Sequence, residues 1–241
     1  RGVDVVVANG AGCCGAATHH LGHEHEARAM VRRNIDAWEK AMERGPVDAI
    51  IVNASGCGTT VKDYGAMMRH DPEYGERAAK ISALTKDVTE FLGEYELGAP
   101  VRYSSLRVAY HSACSMQHGQ RITDQPMLLL ESAGFSVVSI PEGHICCGSA
   151  GTYNILQPEL ADRLKDRKAS NIESVKPDLV AAGNIGCITQ LENAIGVPIV
   201  HTVELLDWAY GGPVPRGLES LAKYISDVPK PKRQVGDYIH V

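Results

Sequence analysis

Apolar and polar positions along this chain follow two alternating rhythms. Residues 3–8 (Val-Asp-Val-Val-Val-Ala) form a short apolar run that reads as a buried strand. Over 24–44 the positions Ala27, Met30, Val31, Ile35 and Trp38 recur at helical spacing. Pro46 ends that helix, and 47–53 is an apolar run suited to a central parallel strand. Residues 76–92 return to the helical pattern. Residues 93–106, with Gly98, Pro100, Ser104 and Ser105, read as a linker. The rhythm then restarts, with a strand at 107–111, a helix at 126–133, a strand at 135–140 and a helix at 158–175. A strand at 179–182, a short strand at 199–200 and a helix from Val203 follow. From Pro213 onward, prolines and charges predict an irregular tail.

Strands alternating with helices imply parallel sheets covered on both faces. The chain also repeats itself. Cys13-Cys14-Gly15-Ala16-Ala17-Thr18 matches Cys146-Cys147-Gly148-Ser149-Ala150-Gly151-Thr152. Arg33-Asn34-Ile35 matches Ser170-Asn171-Ile172, and the strand ending in Gly56-Cys57 matches the strand ending in Gly186-Cys187. Val88 to Leu92 matches Val203 to Leu206. The period is too long for a solenoid. The expected architecture is therefore α/β, with two tandem Rossmann-like cysteine-rich domains related by a pseudo-two-fold. Their expected bounds are 1–98 and 99–212, with a tail at 213–241.

Composition narrows the class. The 241 residues are 44% hydrophobic and 22% charged, the balance of an ordinary globular chain. The net charge of -5 offers nothing to nucleic acid, and no apolar run is long enough to span a bilayer. The chain opens without Met, directly on a strand-like run, so it is expected to be the C-terminal part of something longer. Seven cysteines include two adjacent pairs. A disulfide framework belongs to much smaller secreted domains, so these thiols are expected to be reduced, in the cytoplasm.

In the second half, Cys114 is followed after 31 residues by Cys146-Cys147 and after 39 more by Cys187. Each station follows an expected strand, and loops at the carboxyl ends of parallel strands converge on one edge. Four thiolates at one point suit an iron–sulfur cluster or a tetrahedral zinc, and spacing alone does not separate the two. The first half carries three, Cys13, Cys14 and Cys57. Gly148 and Gly186 flank ligand positions, where a glycine lets the backbone approach and its N–H reach a sulfur. A single cysteine is more often a small buried hydrophobe, but six of these seven recur in register.

The two Cys-Cys-Gly stations resemble the cysteine-rich domain of the heterodisulfide reductases. Longer stretches look like the iron–sulfur subunit of glycolate oxidase. They are Thr18-His19-His20-Leu21-Gly22, Arg33 to Trp38, Ala54-Ser55-Gly56-Cys57-Gly58-Thr59-Thr60-Val61-Lys62-Asp63-Tyr64, Tyr110 to Gln120 and Gly183-Asn184-Ile185-Gly186-Cys187. This resemblance implies a [4Fe-4S] centre on the cysteines of the shared motifs, an electron-transfer role in a glycolate (2-hydroxyacid) dehydrogenase, and FAD in a flavin-containing partner subunit. It implies further a quinone-type acceptor, glyoxylate metabolism, and a peripheral place on the inner face of the cytoplasmic membrane. It implies also an amino-terminal ferredoxin-like domain and a cysteine about thirty residues ahead of Cys13, both absent from these residues. The heterodisulfide reductase pattern ends each station in Cys-x-x-Cys; here Thr60 and Gln190 stand in the last place, which counts against disulfide-reducing chemistry.

The histidines are the remaining candidates. His19 and His20 fall in the resembling motif, His23 and His25 on a polar stretch, and His111 and His118 bracket Cys114. His19, His20, His111 and His118 are expected to sit behind the ligands, if at the centre at all, since core packing or solvent accounts for them equally well. No nucleophilic triad, P-loop or dinucleotide fingerprint appears, so substrate oxidation is expected in the partner. Two rivals stand beside electron transfer: a zinc-stabilised docking module, and a thiol/disulfide oxidoreductase.

Overall fold

The computed structural model describes residues 2–227. The first half runs α1 (Ala16–His20), α2 (Glu24–Met42), β1 (Ile50–Val52), α3 (Ser55–Lys62), α4 (Tyr64–Met68), α5 (Gly75–Leu84), β2 (Thr85–Asp87) and α6 (Val88–Leu92). The second runs β3 (Arg102–Ser104), β4 (Arg107–His111), a π-helix (Ser115–Gln120), α7 (Gln125–Ser132) and β5 (Ser136–Ser139). Then come α8 (Tyr153–Leu156), α9 (Pro158–Ser174), β6 (Leu179–Ala182), α10 (Ile185–Leu191), β7 (Ile199–His201), α11 (Thr202–Ala209), a 3-10 helix (Glu219–Tyr224) and β8 (Ile225–Asp227). The architecture is α/β, with parallel sheets in both halves. The second sheet has the order β5-β4-β6-β7, and the first consists of β1 and β2.

The second half is the better filled. Leu179, Val180, Ala181 and Ala182 of β6 are all buried, as are Val108, Ala109 and Tyr110 of β4, because helices cover both faces. Leu130 of α7, Ile172 of α9 and Leu205 and Trp208 of α11 complete that core. In the first half Val31 and Ile35 of α2 meet Tyr64, Met68 and Ile81. One device is repeated: a capping box opens each final helix. Asp87 accepts from the Thr89 N–H while Glu90 accepts from the Asp87 N–H. His201 Nδ1 accepts from Val203 and Glu204 accepts from the His201 N–H.

Four expectations change. Residues 3–8 are not a strand, and Val5 and Val7 are 85% and 81% exposed. In the second half the strand ahead of the Cys-Cys pair, β5, is held by its ladder with β4. The first half has no counterpart of β4 among the described residues, so the apolar run has no ladder to join. The expected helix at 76–92 is interrupted by β2, since β1 needs a parallel partner and Thr85 to Asp87 supply it. The linker contains β3. The tail is irregular only at first, because β8 pairs antiparallel with β3; residues 228–241 lie outside the described residues.

The halves meet at the carboxyl ends of their strands. The Ser55 N–H, just after β1, donates to the Gly183 carbonyl, just after β6, at 3.1 Å. Ser55 and Ser115 share a 2.7 Å hydroxyl bond, Thr59 donates to the Ser115 carbonyl, and Gln120 donates to the Ser55 carbonyl. α3 and the π-helix come so close that a Cβ on Gly58 or Gly119 would lie within 3.0 Å of Gln120 or Thr59. These two glycines therefore set the approach of the halves. Among the described residues no helix is long and apolar enough to cross a membrane.

Candidate metal centre

All seven cysteines are free thiols. The second half places its thiols on the loops and first helical turns that follow its strands, and in the first half Cys57 does the same after β1 while Cys13 and Cys14 lie in the loop ahead of α1. In the second half Cys114 follows β4, Cys146 and Cys147 follow β5, and Cys187 lies in the first turn of α10 after β6. Their thiols are electrostatically coupled: Cys114 acts on Cys146, and Cys147 on both Cys146 and Cys187. The ligand atoms of His111, Cys147 and Cys187 lie within 4.8 Å of one another, and all three residues are buried.

Backbone and amide donors add to the set. The Gly148 N–H donates to Cys146 Sγ at 3.3 Å, as the flanking glycine leads one to expect, and Asn184 Nδ2 donates to Cys187 Sγ at 3.6 Å. Thiol, backbone and amide donors thus favour negative charge on Cys146 and Cys187. Donation by Cys114 holds Cys146 far below the ordinary thiol value, against the opposing effect of burial. Donation by Cys147 brings Cys187 down to about 5, burial opposes it, and His111 assists. Cys114 and Cys147, the donors, are pushed up by the sulfurs they serve and by burial. Cys147, Cys187 and His111 are already gathered, and with the coupled thiols of Cys146 and Cys114 the donor set fits soft-ligand iron–sulfur or zinc binding. The ring nitrogens of His111 have no nitrogen or oxygen partner although the residue is buried, so its polar edge is free for the sulfurs.

The first half gathers less. Cys14 donates to Cys57, which falls to about 7, and the charge of Cys13 acts on Cys57 from nearby. Cys13 is exposed and Cys14 buried. Two motif residues, Asn34 and Tyr64, clamp the Cys-Cys loop. Asn34 Oδ1 accepts from the Gly12 N–H at 2.8 Å, and its Nδ2 donates to the Cys13 carbonyl. The Tyr64 hydroxyl donates to the Cys14 carbonyl at 2.9 Å and lies 3.0 Å from Asn34 Nδ2. Of the histidines, His20, His23, His25 and His118 are exposed and His19 pairs with Glu24 at 2.8 Å; His111 is the one that the structure sets beside the second-half sulfurs.

The helix register of the repeat also changes. Each Cys-Cys-Gly glycine has a positive φ, +85° at Gly15 and +91° at Gly148, and each turns the loop against one helical carbonyl, that of Ala27 or that of Ala161. Seven residues further along each helix, two turns on, come Asn34 and Lys168. Both are buried, 1% and 0% exposed, and both bond to backbone leading into the Cys-Cys pair. Lys168 donates to the carbonyls of Glu142 and Gly143. Asn34 therefore corresponds to Lys168, three positions from the Asn171 that sequence matching selects. Asn171 instead reaches the Glu142 carboxylate. Lys168 was legible in principle as a charge on the apolar stripe between Ala161 and Ile172. Asn184 carried no signal beyond its motif.

The comparisons with known proteins agree with this layout. A family description, "Cysteine-rich domain" (CCG), matches residues 1–62 and 108–192, one repeat in each half. The chain is 40% identical over 208 residues to the glycolate oxidase iron-sulfur subunit of Escherichia coli, covering 86% of this chain and 51% of that protein. It is 31% identical over 221 residues to a probable glycolate oxidase iron-sulfur subunit of Bacillus subtilis, covering 87% of this chain and 49% of that protein. Lactate utilization protein A of Geobacillus thermodenitrificans is 27% identical, over 81% of this chain and 82% of that protein. The chain thus spans about half the length of the two glycolate oxidase relatives it matches. Its two Cys-Cys-Gly repeats on parallel sheets place it in the cysteine-rich (CCG) domain family.

Proposed function

We propose that this chain is the iron–sulfur, electron-transferring part of a flavin-dependent glycolate (2-hydroxyacid) dehydrogenase. In this reading it takes electrons from a flavin-containing subunit and passes them towards a quinone-type acceptor. The observation that carries the reading is the buried group of His111, Cys147 and Cys187, whose ligand atoms lie within 4.8 Å of one another, with Cys146 held by the Gly148 N–H and Cys187 by Asn184 and Cys114 coupled to Cys146. Those four sulfurs would hold a [4Fe-4S] centre, and such a centre supplies reversible one-electron chemistry when bound. The protein's own residues do the rest. The Gly148 and Asn184 donors lower the charge on their sulfurs, the β4–β6 core fixes the three stations relative to each other, and burial of Cys147 and Cys187 keeps water from two of the four ligands. Cys13, Cys14 and Cys57 would serve a second centre, which needs one further ligand. The named relatives support the assignment to glycolate oxidation.

The test is metal, sulfide and absorption analysis of anaerobically purified full chain, followed by mixing with its flavin partner and glycolate. Iron and sulfide with a visible band that glycolate bleaches would support the reading. Zinc as the sole metal, with no bleaching, would replace it with a structural role for the same thiols. A bleach by lactate and none by glycolate would keep electron transfer and change the substrate.

A further inference from the structure

Lys168 is buried with no exposed surface, and its ammonium rests on two backbone carbonyls, those of Glu142 and Gly143. Among the described residues no carboxylate hydrogen-bonds to it: the Glu142 side chain is taken by Arg167 and Asn171. A buried cation without a counter-ion is costly, so a compensating negative charge is to be looked for nearby. Lys168 lines one cavity with His111 and Gly143, and His111 lies within 4.8 Å of the sulfurs of Cys147 and Cys187; the charges of those cysteines, of Cys146 and, last, of Glu142 oppose the effect of its burial. At the corresponding place in the first half stands Asn34, an uncharged amide that makes the same kind of backbone bonds. The two halves thus share a polar anchor under the Cys-Cys loop and differ in its charge by one unit.

We propose that Lys168 sets the charge of the second-half centre: its buried ammonium stabilises the reduced state and raises the midpoint potential, while Asn34 anchors the first-half loop without that effect. The inference rests on the iron–sulfur reading above. A thiolate-bound cluster becomes more negative by one charge on reduction, and a fixed cation in a poorly screened interior favours the more negative state. Lys168 touches no reacting atom; it is a positioning and electrostatic residue.

The experiment is a spectroscopic redox titration of the iron-loaded full chain, with the second-half signal identified as the one that Cys187→Ser abolishes. Lys168→Asn, which copies the first half, and Lys168→Gln should move that signal to a more negative potential. Lys168→Arg should leave it near wild type, and signals of the first half should stay in place. Unchanged potential in neutral variants with full iron overturns the proposal. Iron loss in the neutral variants with retention in Lys168→Arg supports it, because charge and not packing is then what the site needs. Equal iron loss in all three variants overturns it in favour of a packing role. A wild-type chain with no iron–sulfur signal is a different result, since it removes the reading on which the inference stands.

Discussion

The two halves share one plan and differ, among the described residues, in the strands and thiols they show. Among the described residues the parallel sheet of the second has four strands and that half four thiols; the first has a two-stranded sheet and three thiols. These differences have one source. In the second half β4 is both the inner partner of β5 and the strand whose carboxyl end delivers Cys114. Without a counterpart of β4 among the described residues, the first half lacks the ladder for residues 3–8 and the fourth sulfur together. In the second half strand and ligand thus belong to one structural piece.

The largest expected effect breaks the comparison at the ligands. Cys114→Ser or Cys187→Ser should remove most iron bound by this chain, and Cys57→Ser much less, as measured by iron per chain after anaerobic loading. Equal losses would mean that the first site finds a non-cysteine ligand or that the halves share one centre. Next comes the glycine of each Cys-Cys-Gly station. Gly148→Ala drives a Cβ into the Ala161 carbonyl at positive φ and should cost about 3 kcal/mol or more in urea denaturation. At Gly15 the added Cβ would stand 3.4 Å from the Ala27 carbonyl, so Gly15→Ala should cost about 1–2 kcal/mol, the conformational part alone.

A smaller effect probes the clamp that the first half has and the second lacks in this form. Tyr64→Phe removes the bond to the buried Cys14 carbonyl and should destabilise by about 1–2 kcal/mol, while leaving the second-half metal content unchanged. The smallest effect concerns acid. The Arg32 guanidinium holds Asp71 at about 2, and Arg167 holds Glu142 at about 2. Carboxylates depressed in the folded state stabilise above their ordinary pKa of about 4, and that contribution is lost as pH falls towards 2. Asp71→Asn and Glu142→Gln should each flatten the fall of the denaturation midpoint between pH 4 and 2. Both pairs lie at the surface, so the two halves should respond alike and weakly, and strong salt should erase the difference.

Much of this molecule is legible in its sequence. The alternation of periods predicts α2, α7, α9 and every strand of the second sheet, because a strand buried on both faces and an amphipathic helix each leave a local signature. The recurrence of Cys-Cys-Gly and Gly-Cys identifies the thiols and their half-by-half division. Three things were settled by tertiary structure alone. Residues 3–8 have the composition of a strand, yet a strand is made by its neighbour's hydrogen bonds. Thr85 to Asp87 read as helix until β1 required a partner. The correspondence of Asn34 with Lys168 follows from which carbonyl each loop glycine touches, a contact between distant residues that no spacing within the helix encodes. Local chemistry chose the ligands, and packing between elements chose which residues stand behind them.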